Sequence, residues 1–280
     1  MKKNNDFVLI WVSCGITSAV AGYLAKQKFK NVRFYYIQIK SAHPDNERFL
    51  NDLEKWYGQQ IIRIKSTKHA DQFEVIDKTG YVNGPAGAAC TKILKKEVRF
   101  QLEESFKPNL FDLDKSQYTN SVHGYEFKLS EIQRAIEYVM DYGYTKPIFP
   151  LIEEKLSKEN CAQILIDAGI ELPVMYKLGY NNNNCIGCVK GGAGYWNKIR
   201  VDFPEYFNRM AVSERKAGHS CINGTFLDQL HPTKGRTPKP IVPSCGFICE
   251  AINPEFTKGI AQKIFNSEIS IQEWSKQFKF

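Results

Sequence analysis

FVLIWVSCGITSAVAGYLAKQK, residues 7–28, reads as a strand, a loop and a helix in immediate succession. Phe7 to Val12 is an unbroken apolar run of strand length, the pattern of a strand covered on both faces. Ile16 to Lys28 carries Ala, Leu and Lys in place of turn formers and predicts a helix. Between them, Ser13-Cys14-Gly15-Ile16-Thr17-Ser18 is a loop of small residues ending on a helix amino terminus. Small residues let the backbone approach an anion, and unsatisfied N–H groups with the helix dipole favour negative charge there. Ser13, Thr17 and Ser18 add hydroxyls. The loop lacks the GK[ST] ending of a Walker A motif. Taken alone, it is equally an ordinary N-capped β–α turn.

A leader-peptide reading starts from Met1-Lys2-Lys3 and the apolar run to Leu24. Ser13, Gly15, Thr17 and Ser18 interrupt the run where such a segment is uniformly apolar, and Trp11 occupies the Leu-like position of a lipobox ending at Cys14. No other apolar stretch nears the ~20 residues of a membrane span. The expectation is a cytoplasmic protein without a membrane partner.

Outward from this unit the alternation continues. Val32 to Ile39 predicts a second buried strand, about Asp45 to Tyr57 an amphipathic helix, and Ile61 to Ile64 a third strand. A basic helix is expected from Ala89 to Glu104, and further helices from Ser130 to Asp141 and Ser157 to Ala168, with a short strand over Pro147 to Ile152. Strands alternating with helices imply a parallel, twisted α/β sheet with helices on both faces, whose ligands sit at the carboxyl ends of the strands. After Pro173 the texture changes to Asn, Gly, Cys and Pro, with helical periodicity only over Asn197 to Ala217 and in the tail from Asn253. The expected organisation is an α/β domain over 1–175 and a smaller, cysteine-bearing C-terminal domain over 176–280.

The 280 residues, 43% hydrophobic and 24% charged, exclude wholesale disorder and suffice for a core without staples. The excess of 38 Lys+Arg over 30 Asp+Glu gives +8, which favours an anionic partner such as a nucleotide or nucleic acid.

The loop at Ser13–Ser18 resembles the SGGxxS signature of PP-loop ATP pyrophosphatases and PAPS reductases, with Cys14 at a position usually Gly. Gly84-Pro85-x-Gly87-x-x-Cys90-Thr91-x-x-x-Lys95-Lys96 is similar to a segment of PAPS reductase-like proteins, phage-encoded members included. His123-Gly124-Tyr125 with Glu131 and Arg134 resembles their GY…E…R segment. Asn184-Cys185-Ile186-Gly187-Cys188-Val189-Lys190-Gly191-Gly192, running into Gly194 to Arg200, resembles their NCIGCVKGG…YWNKIR block. The four motifs fall in the expected order over roughly 7–250.

The resemblance implies a HUP-type fold whose loop, Ser13, Cys14, Gly15, Ile16, Thr17 and Ser18, grips a phosphate of ATP or the sulfate end of PAPS. Thr91, Lys96, Gly124, Tyr125 and Arg134 are expected around the same nucleotide, with Lys95 and Cys90 as the catalytic candidates. Lys95, Lys96 and Arg99 can neutralise phosphate charge, and Asp45, Glu131 and Asp141 are candidate Mg²⁺ or ribose partners. Cys14 adds a thiol beside the phosphate. His123 stands near an expected strand end.

Cys185-x2-Cys188 and Cys245-x3-Cys249 are two close thiol pairs in glycine-rich loops, a donor set for tetrahedral Zn²⁺ or a 4Fe–4S cluster. The resemblance favours iron–sulfur. APS reductases use a CC pair where this chain has Ala89-Cys90, so Cys90 is a ligand or a reactive thiol. Cys161 reads as core packing.

Two enzymatic outcomes follow from the resemblance. In one, ATP is cleaved to AMP and pyrophosphate, an acceptor oxygen is adenylated, and sulfur displaces AMP; the acceptor is a nucleotide or nucleic acid such as tRNA or DNA, and a sulfur-donor protein is a further partner. In the other, a thiolate attacks PAPS and sulfite is released. PAPS reductases carry their nucleophile in a C-terminal tail, and no cysteine follows Cys249 here, which favours adenylation. A nucleotide-binding, metal-stabilised module without catalysis is the non-enzymatic reading, with Cys14 as its sign.

Overall fold

A computed structural model describes residues 7–84, 87–107, 118–222, 224–235 and 254–277. Among these, five strands form one parallel sheet: β1 Phe7–Val12, β2 Val32–Gln38, β3 Ile61–Lys65, β4 Tyr118–Val122 and β5 Pro147–Ile148, in the order β3-β2-β1-β4-β5. The central position of β1 explains its composition, since every residue of it is buried. Its alternate side chains serve two cores, as the two-residue period of a strand dictates. Val8, Ile10 and Val12 pack beneath α1 Ile16–Lys28, α2 Asn46–Tyr57 and α8 Lys158–Asp167. Phe7, Leu9 and Trp11 point to the other face, against Phe106 and Leu102 of the segment formed by α5 Glu97–Ser105 and its end.

This is the doubly covered, parallel α/β arrangement that the alternation predicts. The chain builds β1, β2 and β3 outward in one direction, then returns to lay β4 on the opposite side of β1. The reversal places a crevice between the carboxyl ends of β1 and β4.

Several elements differ from expectation. The strand expected over Pro147 to Ile152 stops at Ile148, because Pro150 opens the short helix α7 Pro150–Glu153 at its first turn. The basic helix is interrupted: α4 Ala89–Thr91 passes into a π-turn over Lys92–Lys96 before α5 begins. α3 Gln72–Thr79 is additional to the sequence reading, and the strand end expected near His123 is that of β4, whose span the sequence reading did not give.

Farther along, α6 Leu129–Tyr142 receives α12 Pro254–Phe265 and α13 Ile271–Ser275 on its apolar side. The short α9 Val174–Lys177 leads into the cysteine-bearing segment, where α10 Ala193–Asp202 and α11 Pro204–Ala217 bury Trp196, Phe207 and Met210 with Phe73 and Ile76 of α3. No helix among the described residues is long and apolar enough to cross a membrane.

Candidate functional site

The loop after β1 is held by its own hydroxyls. Ser18 Oγ accepts the Ser13 amide and the Ser13 hydroxyl, each at 3.0 Å, and donates to the Gly15 carbonyl at 2.9 Å. Ser18 therefore organises the loop's curvature. Gly15 is the extended residue preceding α1, with φ −85° and ψ 147°. Cys14 takes the left-handed conformation, φ 58°. That geometry turns its side chain into the core, where its thiol lies 4.0 Å from the Asn46 carbonyl and bonds Tyr36. The thiol expected beside the phosphate thus faces away from it, and burial pushes its pKa far above the ordinary range. Ile16 likewise contributes its amide to the loop but buries its side chain.

Gly124, two residues past β4, abuts this loop. A Cβ there would lie 2.7 Å from Ser18 Cα, 2.8 Å from Ser18 N and 3.0 Å from the Thr17 carbonyl carbon, all backbone atoms. Only glycine lets the end of β4 approach the first turn of α1 this closely. His123 beside it is buried. Its Nε2 stands 3.0 Å from Ser121 Oγ and its ring 4.4 Å from that of Tyr138. Burial, with the charge of Arg99, holds the imidazole well below its ordinary pKa, so it is neutral.

The basic residues of this segment have different surroundings, Lys95 in the π-turn and Arg99 in α5. Lys95 reaches the crevice, whereas Arg99 is 1% exposed, bonded to Glu103 at 2.6 Å and to the Tyr138 hydroxyl. Arg99 is a buried structural cation instead of a phosphate donor. Lys96 donates to Tyr142 Oη at 3.1 Å and is not on the crevice wall. Arg134, paired with Glu131, is on it. Asp45 is committed to Arg48 and to the Val174 amide.

The crevice is a cavity of about 830 Å³, the scale of a cofactor or substrate site. Of the residues singled out in the sequence, it gathers Ser13, Gly15, Thr17, Ser18, Lys95, Gly124, Tyr125, Arg134 and Cys185 on one wall system. Two buried polar atoms of residues on that wall, Trp11 Nε1 and Asn183 Oδ1, have no protein partner. Tyr176, Asn183 and Lys158 also line it, and sequence reasoning missed all three. The run Asn181–Asn184 was the available signal, four carboxamides leading into Cys185.

Cys90, Thr91, Cys185 and Cys188 surround a second, small void of about 20 Å³, and Ile39, Lys95 and Cys185 line both spaces. The cysteine turn is pinned by Gln72, whose Nε2 donates to the carbonyls of Ile186 at 2.8 Å and Gly187 at 3.2 Å. Gly187 supplies the left-handed residue, φ 73°, that so tight a turn requires. Tyr195 Oη accepts the Cys188 amide at 2.9 Å. Cys161 lies in the core under α1. Cys221 is half-buried beside Glu214, in electrostatic reach of Cys90. Cys245 and Cys249 lie outside the described residues; among those described, no three His, Cys, Asp or Glu side chains are placed to hold one metal ion.

Fold and site together define an α/β protein with a hydroxyl-bonded loop at the switch point of its sheet and a cysteine turn on the same cavity. No protein-family model matches the chain, and no curated protein matches its sequence. Among solved structures it is similar to the U34-tRNA thiolase NcsA from Methanococcus maripaludis with its 4Fe–4S cluster. That likeness has 13% sequence identity and a TM-score of 0.39, and covers 86% of this chain and 85% of that chain.

Proposed function

We propose that the chain is a PP-loop adenylating enzyme that cleaves ATP to AMP and pyrophosphate and transfers sulfur to a nucleotide or nucleic-acid acceptor. The observation that carries this reading is one cavity that has the Ser13–Ser18 loop, Lys95, Arg134 and the Cys185 thiol on its walls. The amides opening α1 receive phosphate oxygens, and Gly124 fixes the loop against the end of β4. Lys95 and Arg134 offset the charge that develops on departing pyrophosphate, with Glu131 the carboxylate on this wall suited to Mg²⁺. Adenylation makes the acceptor oxygen a good leaving group, and the sulfur side of the reaction belongs to the wall that carries Cys185 and, behind it, Cys90. Cys185 and Cys188, with Cys245 and Cys249, would hold a 4Fe–4S cluster, which supplies a sulfur-binding and redox-active centre when bound.

The test offers anaerobically purified protein ATP or PAPS, with sulfide and mixed tRNA and DNA, and separates the nucleotide products. AMP with pyrophosphate is the expected result, followed by thiolated bases. Adenosine 3′,5′-bisphosphate with sulfite would overturn the reading in favour of a sulfonucleotide reductase. Tight nucleotide binding without turnover would overturn it in favour of a binding module.

A further inference from the structure

Tyr176 occupies the amino terminus of α1. Its hydroxyl oxygen accepts the Ile16 amide at 3.4 Å and also receives the backbone N–H of Asn183. The same oxygen lies 3.7 Å from where a side chain on Gly15 would begin, so it stands over the backbone that a phosphate must approach. The second N–H it holds belongs to the Asn181–Asn184 run. Asn183 is further tied to the loop, since its Nδ2 donates to the Cys14 carbonyl at 2.9 Å and to Asn46 Oδ1 at 2.7 Å. Two residues on is Cys185, on the wall of the same cavity. The far end of the turn is anchored separately, through the Ile186 amide to the Ser41 carbonyl at 2.8 Å and through Gln72. A single neutral phenol oxygen therefore bridges the phosphate loop and the thiol-bearing segment.

We infer that Tyr176 is an autoinhibitory plug: its hydroxyl holds the α1 amide, and an arriving phosphate displaces it and loosens the Asn181–Cys185 segment. This rests on the nucleotide reading above. An ionised acceptor forms a stronger bond to an amide than a neutral phenol, and the 3.4 Å contact is long, so the exchange favours the phosphate. Once the phenol leaves, the Asn183 amide loses its acceptor, and the segment, still held by the Asn183 side chain and by Ile186 and Gln72 at its far end, opens more often. Thiol chemistry is thereby tied to the nucleotide-loaded state.

Tyr176→Phe removes the hydroxyl and keeps the ring. Titration calorimetry with pyrophosphate and with a non-hydrolysable ATP analogue is expected to show about fivefold tighter binding, the worth of one neutral hydrogen bond no longer broken. Hydrogen exchange followed by mass spectrometry over residues 179–189 is expected to be faster in the ligand-free variant than in the ligand-free parent. In the parent, either ligand should speed it towards the variant's rate, a measurement that needs no substitution; in the variant it should no longer respond. Unchanged or weaker binding by Tyr176→Phe, with binding by the parent intact, overturns the plug and leaves the nucleotide reading standing, as does unchanged exchange in the loaded parent. Failure of the parent to bind either ligand overturns both.

Discussion

Gly124→Ala isolates the contact on which the phosphate loop depends. The added Cβ would meet Ser18 Cα at 2.7 Å, and an ordinary carbon–carbon contact needs about 3.5 Å, so the end of β4 and the first turn of α1 must part by roughly 0.8 Å. Neither side yields easily. The obstructing atoms are backbone, and the turn they belong to is clamped by the buried Ile16, Ala19 and Val20. Overpacking of this kind costs about 1–3 kcal/mol, while replacing Gly by Ala returns about 0.4–1 kcal/mol through the unfolded chain. The net loss of up to about 2.6 kcal/mol lowers the melting temperature by up to about 10 °C for a chain of this size. Affinity suffers more than stability, because a cradle displaced by most of an ångström loses aligned amides. Thermal melting monitored by circular dichroism, with calorimetric titration of ATP, is expected to show a folded variant whose affinity is down by at least about tenfold. Gly259→Ala is the control, since an added Cβ there meets nothing within 4 Å and the residue is not on the cavity wall. A Gly124→Ala protein with parental melting temperature and affinity would refute the claim that this approach holds the cradle.

Ser18→Ala removes the acceptor of two Ser13 groups and the donor to Gly15; nucleotide binding is expected to be lost in titration while metal content, read by plasma mass spectrometry, is unchanged. Cys188→Ser should do the reverse, losing metal and keeping nucleotide affinity; unchanged metal content would show that Cys188 is not a ligand. His123 is held neutral, with its folded pKa well below the ordinary 6.5. Below pH 6.5 the unfolded chain then binds a proton that the folded chain refuses, so stability falls with acidification, by up to about 1.4 kcal/mol per pH unit. Denaturant titrations between pH 7.5 and 5.5 should show that slope reduced in His123→Gln; identical slopes would place the titrating group elsewhere.

The β1–loop–α1 unit was legible because its two signals are strong and adjacent: a six-residue apolar run and a glycine-containing turn into a helix. The amphipathic α2 was legible for the same reason of period. β4 was not. Tyr-Thr-Asn-Ser-Val, 118–122, looks like a polar loop, yet Ser121 is fully buried, its hydroxyl engaged by His123 and by Thr145 at 3.2 Å. Hydrogen bonds that form only after β1 and β5 flank it replace the hydrophobicity that a pattern search needs. α3 carried a signal that was available, Asp71 with Glu74 three residues on and Gly80 at its end. The opposite fates of Lys95 and Arg99 were not available, because Arg99 is buried by a partner, Tyr138, that lies 39 residues away. Tyr176 and Asn183 reach the loop across more than 130 residues of chain, and no local spacing encodes that meeting.

Cys14 is the one departure from the signature the loop resembles, and its geometry decides what the departure means. A non-glycine residue in the left-handed region costs about 1–2 kcal/mol, so a glycine would sit at φ 58° without strain. The side chain recovers part of that cost through burial, since it is 0% exposed between α1 and α2 and bonded towards Asn46 and Tyr36. Burial also keeps the thiol protonated, which removes it as a nucleophile at neutral pH. The cavity side of the loop is unaffected: Gly15 remains extended, Gly15, Thr17 and Ser18 line the cavity, and Asn183 takes only the carbonyl of residue 14. The substitution therefore repacks the core beneath the cradle and leaves the cradle itself in place, so it lends no support to a loop that has lost its chemistry.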